Sequence, residues 1–176
     1  RPVNPGGYGK SLKNDYRRFY GATVGFAGRG EMIPNADSYC ELDPRVVDKW
    51  GIPVLRFSFK FSDHEINQAR HMQETFRAII QEMGGQPLSE MPTRADNYGL
   101  ENGGRIIHEV GVTRMGNDPS TSVLNKHCQA HDAKNVFVAD AGPFVSQADK
   151  NCTWTILALS MRTSMYIAEQ RKAGTI

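Results

Sequence analysis

The stretch VLRFSFKF, residues 54–61, runs without a break into SDHEINQARHMQETFRAIIQEMGG, and together they constrain the fold more than any other part of this 176-residue chain. Leu55, Phe57, Phe59 and Phe61 alternate with Arg56, Ser58 and Lys60. Side chains on a strand point to opposite faces with a period of two, so the alternation predicts a half-buried strand in an antiparallel-type sheet. Ser62 and Glu65 behind it have the spacing of a capping box, and Phe61 and Ile66 that of a hydrophobic staple. Ile66, Ala69, Met72, Phe76, Ile79 and Met83 then recur at steps of three and four, which is one face of a helix. Gly84-Gly85 supplies the stop.

The remaining segments are less sharply marked. The first 20 residues, with NPGGYGK and KNDYRRFYG, read as loop and a short helix. GATVGFAGRGEMIPNADSYCELDP predicts short strands broken at Gly and Pro. PLSEMPTRADNYGLENGG is loop, RIIHEVG reads as a strand ending at glycine, and Asn117 to Ala133 forms a long polar loop expected on the surface. NVFVADAG reads as a short buried strand. A last helix is expected from near Thr153 to about Gln170, with Trp154, Leu157, Met161, Met165 and Ala168 turned inward. Strand, glycine turn, polar loop and helix in that order predict an α/β to α+β fold.

Composition excludes several classes. The 21 basic and 19 acidic residues are mixed along the chain and leave a net charge of +2, with no basic stripe to suit nucleic acid. No apolar run approaches the ~20 residues of a membrane span. The opening RPVNPGGYGK has none of the apolar character of a signal peptide. Cys40, Cys128 and Cys152 are odd in number and irregular in spacing, so they predict no disulfide framework.

Four places carry groups capable of chemistry. His108 opens HEVGVTRMG, where Gly111 and Gly116 allow backbone to approach a ligand closely. Its imidazole titrates near neutral pH and is suited to accepting a hydroxyl proton. In HCQAH, His127, Cys128 and His131 are metal-ligand types with His108 as a conceivable fourth, but a single Cys-x-x-His spacing without a matching pair reads as polar surface loop, and no metal is expected. Asn151 falls at, or one residue before, the N-cap of the last helix, where Asn is a preferred cap and where free N–H groups and the helix dipole favour negative charge. Asp140, Ala141 and Gly142 end a strand with small residues that let a bound group pass close.

Taken together, His108, GVTRMG at 111–116, NVFVADA at 135–141 and KNCTWTILAL at 150–159 resemble the C-terminal part of the glucose–methanol–choline flavoprotein oxidoreductases. GRGEMIPN at 28–35 and CELDPRVVDKWGIPVLRF at 40–57 resemble the sugar and polyol dehydrogenase branch of that family. The resemblance implies an FAD cofactor and oxidation of a sugar or alcohol CH–OH group, with hydride passing to the flavin. His108 matches the family's catalytic histidine and Asn151 its partner on the same oxygen. Asp140, Ala141, Gly142, Cys152 and Thr153 match cofactor-contacting positions, with Cys152 standing at the family's usual proline and Val112 at the second glycine of its Gly-Gly-Thr.

It further implies two portions, a substrate-side sheet with its packed helix over residues 1–112 and the C-terminal part of a Rossmann-like FAD-binding domain over 113–176. The Gly-x-Gly-x-x-Gly fingerprint that seats FAD pyrophosphate is absent from the sequence, so the chain is expected to be a C-terminal fragment or one piece of a split enzyme. Its partners would then be the remainder of that enzyme, a small alcohol or sugar, and an electron acceptor such as oxygen, a quinone or a cytochrome. A non-catalytic binding module that keeps the fold without the flavin is the competing reading. A small metal-binding protein built on HCQAH is the third.

Overall fold

A computed structural model describes residues 7–176, so part of the loop expected at NPGG lies outside the described residues. The chain folds as helix α1 (Gly9–Phe19), strands β1 (Tyr39–Val47) and β2 (Pro53–Ser58), helix α2 (Asp63–Glu82), a 3₁₀ segment (Arg94–Gly99) and helix α3 (Thr153–Ala173). It is a mixed fold of helices with one small antiparallel sheet.

The local signals around α2 act as their spacing predicts. Ser62 caps the helix, and Glu65 reaches back to accept a hydrogen bond from the Ser62 backbone N–H at 2.7 Å. At the other end Gly84, with φ +73°, donates to the Gln81 carbonyl and Gly85 to that of Ile80. These two bonds are the Schellman pattern, which needs a residue in the left-handed region. Ile66 and Ala69 are buried. The stripe fades toward the C-terminus, where Ile79 and Met83 stand in solvent.

β1 and β2 form a two-stranded antiparallel ribbon with Tyr39 opposite Ser58, Cys40 opposite Phe57 and Leu42 opposite Leu55. The register breaks between Leu42 and Val47, where Pro44 has no N–H to give and the Asp43 carboxylate takes the N–H groups of Arg45 and Val46 instead. Asp48 closes the hairpin by accepting from Trp50 and Ile52 N–H, with Gly51 at φ +82°. The strand expected over 54–61 forms over Pro53–Ser58 and stops short of Phe59–Phe61, and its apolar face is not half buried: Phe57 is 67% exposed, and Leu55 and Phe59 are exposed too. A two-stranded ribbon has no second layer of its own to cover such a face.

Segment 26–33 is held along α2 by side chains of the helix. Phe26 stacks on Phe76 with ring centroids 5.4 Å apart. The Gln68 amide both accepts from the Glu31 N–H and donates to the Glu31 carbonyl, each at 3.1 Å, as a paired strand would. Ile33 donates its N–H to Glu65 Oε1 at 3.0 Å. Met32, between them, exchanges both backbone hydrogen bonds with Gln147, at 2.8 and 3.0 Å, and so joins the first part of the chain to the last.

Three expectations are corrected. RIIHEVG forms no strand among the described residues: Ile107 is 92% exposed and no neighbouring chain pairs with it. NVFVADAG contributes only a single bridge, Phe137 to Gln129, with Val136 exposed. On α3 the apolar stripe faces outward, with Trp154 at 83% exposure and Leu157, Met161 and Met165 exposed beside it, while Thr163 is buried on the opposite side. Ala168 is exposed as well. The accessible surface totals 13356 Å² for 19.6 kDa. A compact monomer of that mass exposes roughly 8,600 Å², so this chain presents about half as much surface again, much of it apolar.

Glu65 is only 3% exposed. Burial alone would raise its pKa, but hydrogen bonds from the Ser62 hydroxyl and from the backbone N–H groups of Ile33 and Ser62 outweigh it and hold the carboxyl below its ordinary 4.5. A depressed folded-state pKa contributes stability that is present above the unfolded value and is lost as pH falls through the folded one. Glu65→Ala is expected to cost about 2–4 kcal/mol, the sum of a lost cap and an unpaired Ile33 N–H, measured by urea unfolding at neutral pH. Glu65→Gln should flatten the fall in melting temperature below pH 4.5; identical acid slopes in the two proteins would sink the assignment.

Candidate active site

Residues 111–147 form a web of short backbone bridges rather than a sheet. Gly111, Thr113 and Met115 donate their N–H groups to the carbonyls of Ala141, Gly142 and Pro143 in turn, at 3.2, 3.2 and 3.0 Å. This fastens the GVTRM segment along AGPF residue by residue. Gly111 sits at φ +86°, and a Cβ there would meet the Phe144 carbonyl at 3.2 Å. Gly142 is needed for the same reason from the other side, since a Cβ would collide with the Thr113 hydroxyl and lie 2.9 Å from Asp140 Oδ1.

The loop 117–133, expected on the surface, supplies the centre of this web. Leu124 is 1% exposed and Cys128 is fully buried. The loop turns inward because its polar groups are satisfied within it. Asn125 Oδ1 accepts from His127 and Gln129 N–H, its amide donates to Gln129 Oε1, and Gln129 donates to the Lys134 carbonyl. Once these groups are paired, burying them costs little. HCQAH is thus a structural plate: His131 bonds Ser122, and His127 stacks flat on Tyr166 with centroids 3.9 Å apart. Burial, with the positive charges of Lys126 and Arg162 nearby, keeps the His127 imidazole below its usual 6.5 and therefore neutral at neutral pH. Among the described residues no three His, Cys, Asp or Glu side chains converge.

Helix α3 docks on that plate through its polar side. Arg162 donates to the Lys126 carbonyl at 2.6 Å, Thr163 to that of His127 at 3.2 Å, and Ser160 to that of Ala139 at 3.2 Å. Arg162, Thr163 and Tyr166 carry no mark in an apolar periodicity. The signal that finds them is the polar and aromatic set at 160, 163 and 166, lying opposite the tryptophan and methionine stripe.

The expected site residues fall around this frame. His108 is half buried on the irregular stretch that enters the Gly111–Met115 strip, and Asn151 is exposed four residues beyond Gln147, where the strip leaves for α3. Both lie outside the bonded strip itself, and among the described residues no hydrogen bond links their side chains. Asn151 does not cap α3: the N-cap is Cys152, buried and without a side-chain cap bond, so the first N–H groups of the helix, from exposed Thr153 and Trp154 onward, have no side-chain partner. Asp140 is exposed and uses its carboxylate to accept from Gly142 N–H at 2.6 Å. The Ala141 and Gly142 carbonyls are occupied by the 111–113 strip. The Thr113 hydroxyl is buried there with no hydrogen-bond partner among the described residues.

In sequence the chain matches known oxidoreductases. The family model described as GMC oxidoreductase matches residues 34–160. The chain belongs to this family. It is 26% identical over 174 residues to the fructose dehydrogenase large subunit of Gluconobacter japonicus, covering 99% of this chain and 30% of that protein. It is 27% identical to the gluconate 2-dehydrogenase flavoprotein of Pantoea cypripedii, over 96% of this chain and 28% of that one. The pyranose 2-oxidase of Lyophyllum shimeji is 25% identical, over 83% and 23%. The chain spans under a third of the length of these relatives.

Thr163→Val should cost about 1–3 kcal/mol, because it leaves the His127 carbonyl unpaired in a buried position. Unfolding free energy and near-ultraviolet dichroism of the His127–Tyr166 region check this. A variant as stable as the parent would show that α3 docks without the bond.

Proposed function

We propose that this chain is the C-terminal part of an FAD-dependent oxidoreductase that oxidises a CH–OH carbon of a sugar or alcohol. The observation that supports the reading most is the match of the GMC oxidoreductase family model to residues 34–160, a span that contains both His108 and Asn151. The names of the relatives, dehydrogenases and oxidases of fructose, gluconate and pyranose, agree with a sugar-like donor.

The residues fit the cofactor. The N-terminus of α3 carries no side-chain cap, and its free N–H groups and dipole favour the negative charge a flavin gathers on reduction. Small residues Ala141 and Gly142 and the partnerless Thr113 hydroxyl lie on the same strip. When bound, FAD supplies the hydride acceptor. His108 accepts the proton of the substrate hydroxyl on one ring nitrogen, which lets the carbon give up its hydride. The Asn151 amide donates a hydrogen bond to the same oxygen and fixes its direction. Residues 1–112 belong on this reading to the substrate side and 113–176 to the flavin side. The outward Trp154, Leu157, Met161 and Met165 stripe is where the remainder of the enzyme covers α3. Electrons then leave to oxygen, a quinone or a cytochrome.

In the full-length protein, His108→Ala should slow flavin reduction about 10²–10⁴-fold while FAD stays bound. Asn151→Ala should slow it less. Anaerobic addition of a sugar and alcohol panel, followed by flavin absorbance in stopped flow, measures both. A His108→Ala protein reducing its flavin at the parent rate removes the base assignment. A full-length protein that binds no FAD makes the binding-module reading the stronger one.

A further inference from the structure

A cavity of about 660 Å³ opens between β2, the start of α2 and the loop 94–103, with none of the 111–115 and 141–143 strip in its lining. Its volume lies within the roughly 300–1,000 Å³ usual for small-ligand sites. One wall is aromatic: Phe57, Phe59 and Phe61, with Phe59 and Phe61 set edge to face at 5.0 Å. Polar side chains, Asp63, Arg94, Asn97 and Asn102, complete much of the lining. Arg94 donates to Asp63 at 2.6 Å, and Lys60 at the rim is paired with Asp37 at 2.8 Å, so the charges around the opening are matched. The side-chain amides of Asn97 and Asn102 have no hydrogen-bond partner among the described residues. Asn97 and Tyr98 are both held in the left-handed region, φ +48° and +52°, with Gln73 donating to the Tyr98 carbonyl. Such conformations in residues other than glycine persist only where the surroundings impose them, and they cluster at ligand sites.

We propose that this cavity is a binding subsite for an uncharged saccharide ring. The C–H faces of such a ring match the exposed Phe57 phenyl, and its hydroxyls match planar amides that both donate and accept. The balanced charges favour a neutral ring over an acid sugar or a phosphate ester. The proposal rests on the sugar-oxidising reading and adds where such a substrate is gripped. The grip connects to the site through Gly103. A Cβ there would lie 2.7 Å from Phe59 Cγ, so the loop rests directly on that ring and continues to His108 five residues later. A ring seated in the cavity therefore lies against residues 102–103, from which the chain runs on to His108.

The test is calorimetric titration of the FAD-loaded full-length protein with D-glucose, D-fructose, maltose and gluconate, repeated on Phe57→Ala, Asn97→Ala and Asn102→Ala. Phe57 and Asn102 are exposed, so those two variants keep the fold if Asn97→Ala does not. At least one uncharged sugar should bind, and each variant should raise its Kd about tenfold, the size of one lost stacking or hydrogen-bonding contact. Three results would overturn the subsite: no uncharged sugar binding, a Kd unmoved in all three variants, or gluconate binding tighter than every neutral sugar. Flavin reduction is read separately. Sugar binding that depends on Phe57 in a protein whose flavin no sugar or alcohol reduces would sustain the subsite while removing the oxidoreductase reading.

Discussion

The carboxylate of Glu65 is the point on which the rest of the structure depends. It completes the cap of α2 through Ser62 and, with its other oxygen, holds the Ile33 N–H. A single buried group thus does a local job and a long-range one. The local job starts a 20-residue helix. The long-range job lays segment 31–33 along that helix, and Met32 can then meet Gln147 from the far end of the chain. A buried charge is tolerated only when its lone pairs are fully occupied, and here three donors occupy them.

The second half is built on a different principle. It has no sheet and little apolar mass, yet Leu124, Cys128 and Pro143 are fully buried in it. Carbonyls and side-chain amides take the place of strand pairing: Asn125 and Gln129 satisfy the loop internally, and Arg162, Thr163 and Ser160 of α3 satisfy its outward carbonyls. The helix is therefore located by hydrogen bonds to specific backbone atoms rather than by an apolar seam. Hydrogen bonds are directional, and such docking fixes the position of the helix N-terminus more narrowly than sliding apolar contact would.

What the sequence reveals follows from how local each cause is. The α2 unit was legible because its cap, staple, stripe and glycine stop all lie within 25 consecutive residues of one another. The buried loop was not, since its burial depends on partners such as Thr163, 36 residues from the His127 carbonyl it bonds. An amphipathic pattern identifies which side of α3 is apolar, but not whether the same chain supplies the cover, and so the Trp154 stripe was assigned inward. The expected strands at 105–111 and 135–142 failed for a related reason: strand propensity becomes a strand only when a partner edge is within reach. For the site, His108 and Asn151 came from the motif order. The strip that pairs 111–115 with 141–143 needed the structure, because nothing local pairs Gly111 with Ala141.

Two separate lines of contact run from the candidate site back to the α2 unit. From His108 one leads through the 102–104 loop to the Phe59 ring, three residues before the Ser62 cap. From Asn151 another leads through Gln147 and Met32 to Ile33 and Glu65, three residues after that cap. Both end at the same turn of the chain. On the proposed reading, in which His108 takes a proton while Asn151 directs the same oxygen, displacements of about an ångström can cost on the order of 10²-fold in rate. On that reading the capped start of α2 is the common reference point of both arms. The buried Glu65 thus has a reach beyond its own helix, because its hydrogen bond from the Ile33 N–H holds the segment through which Met32 meets Gln147.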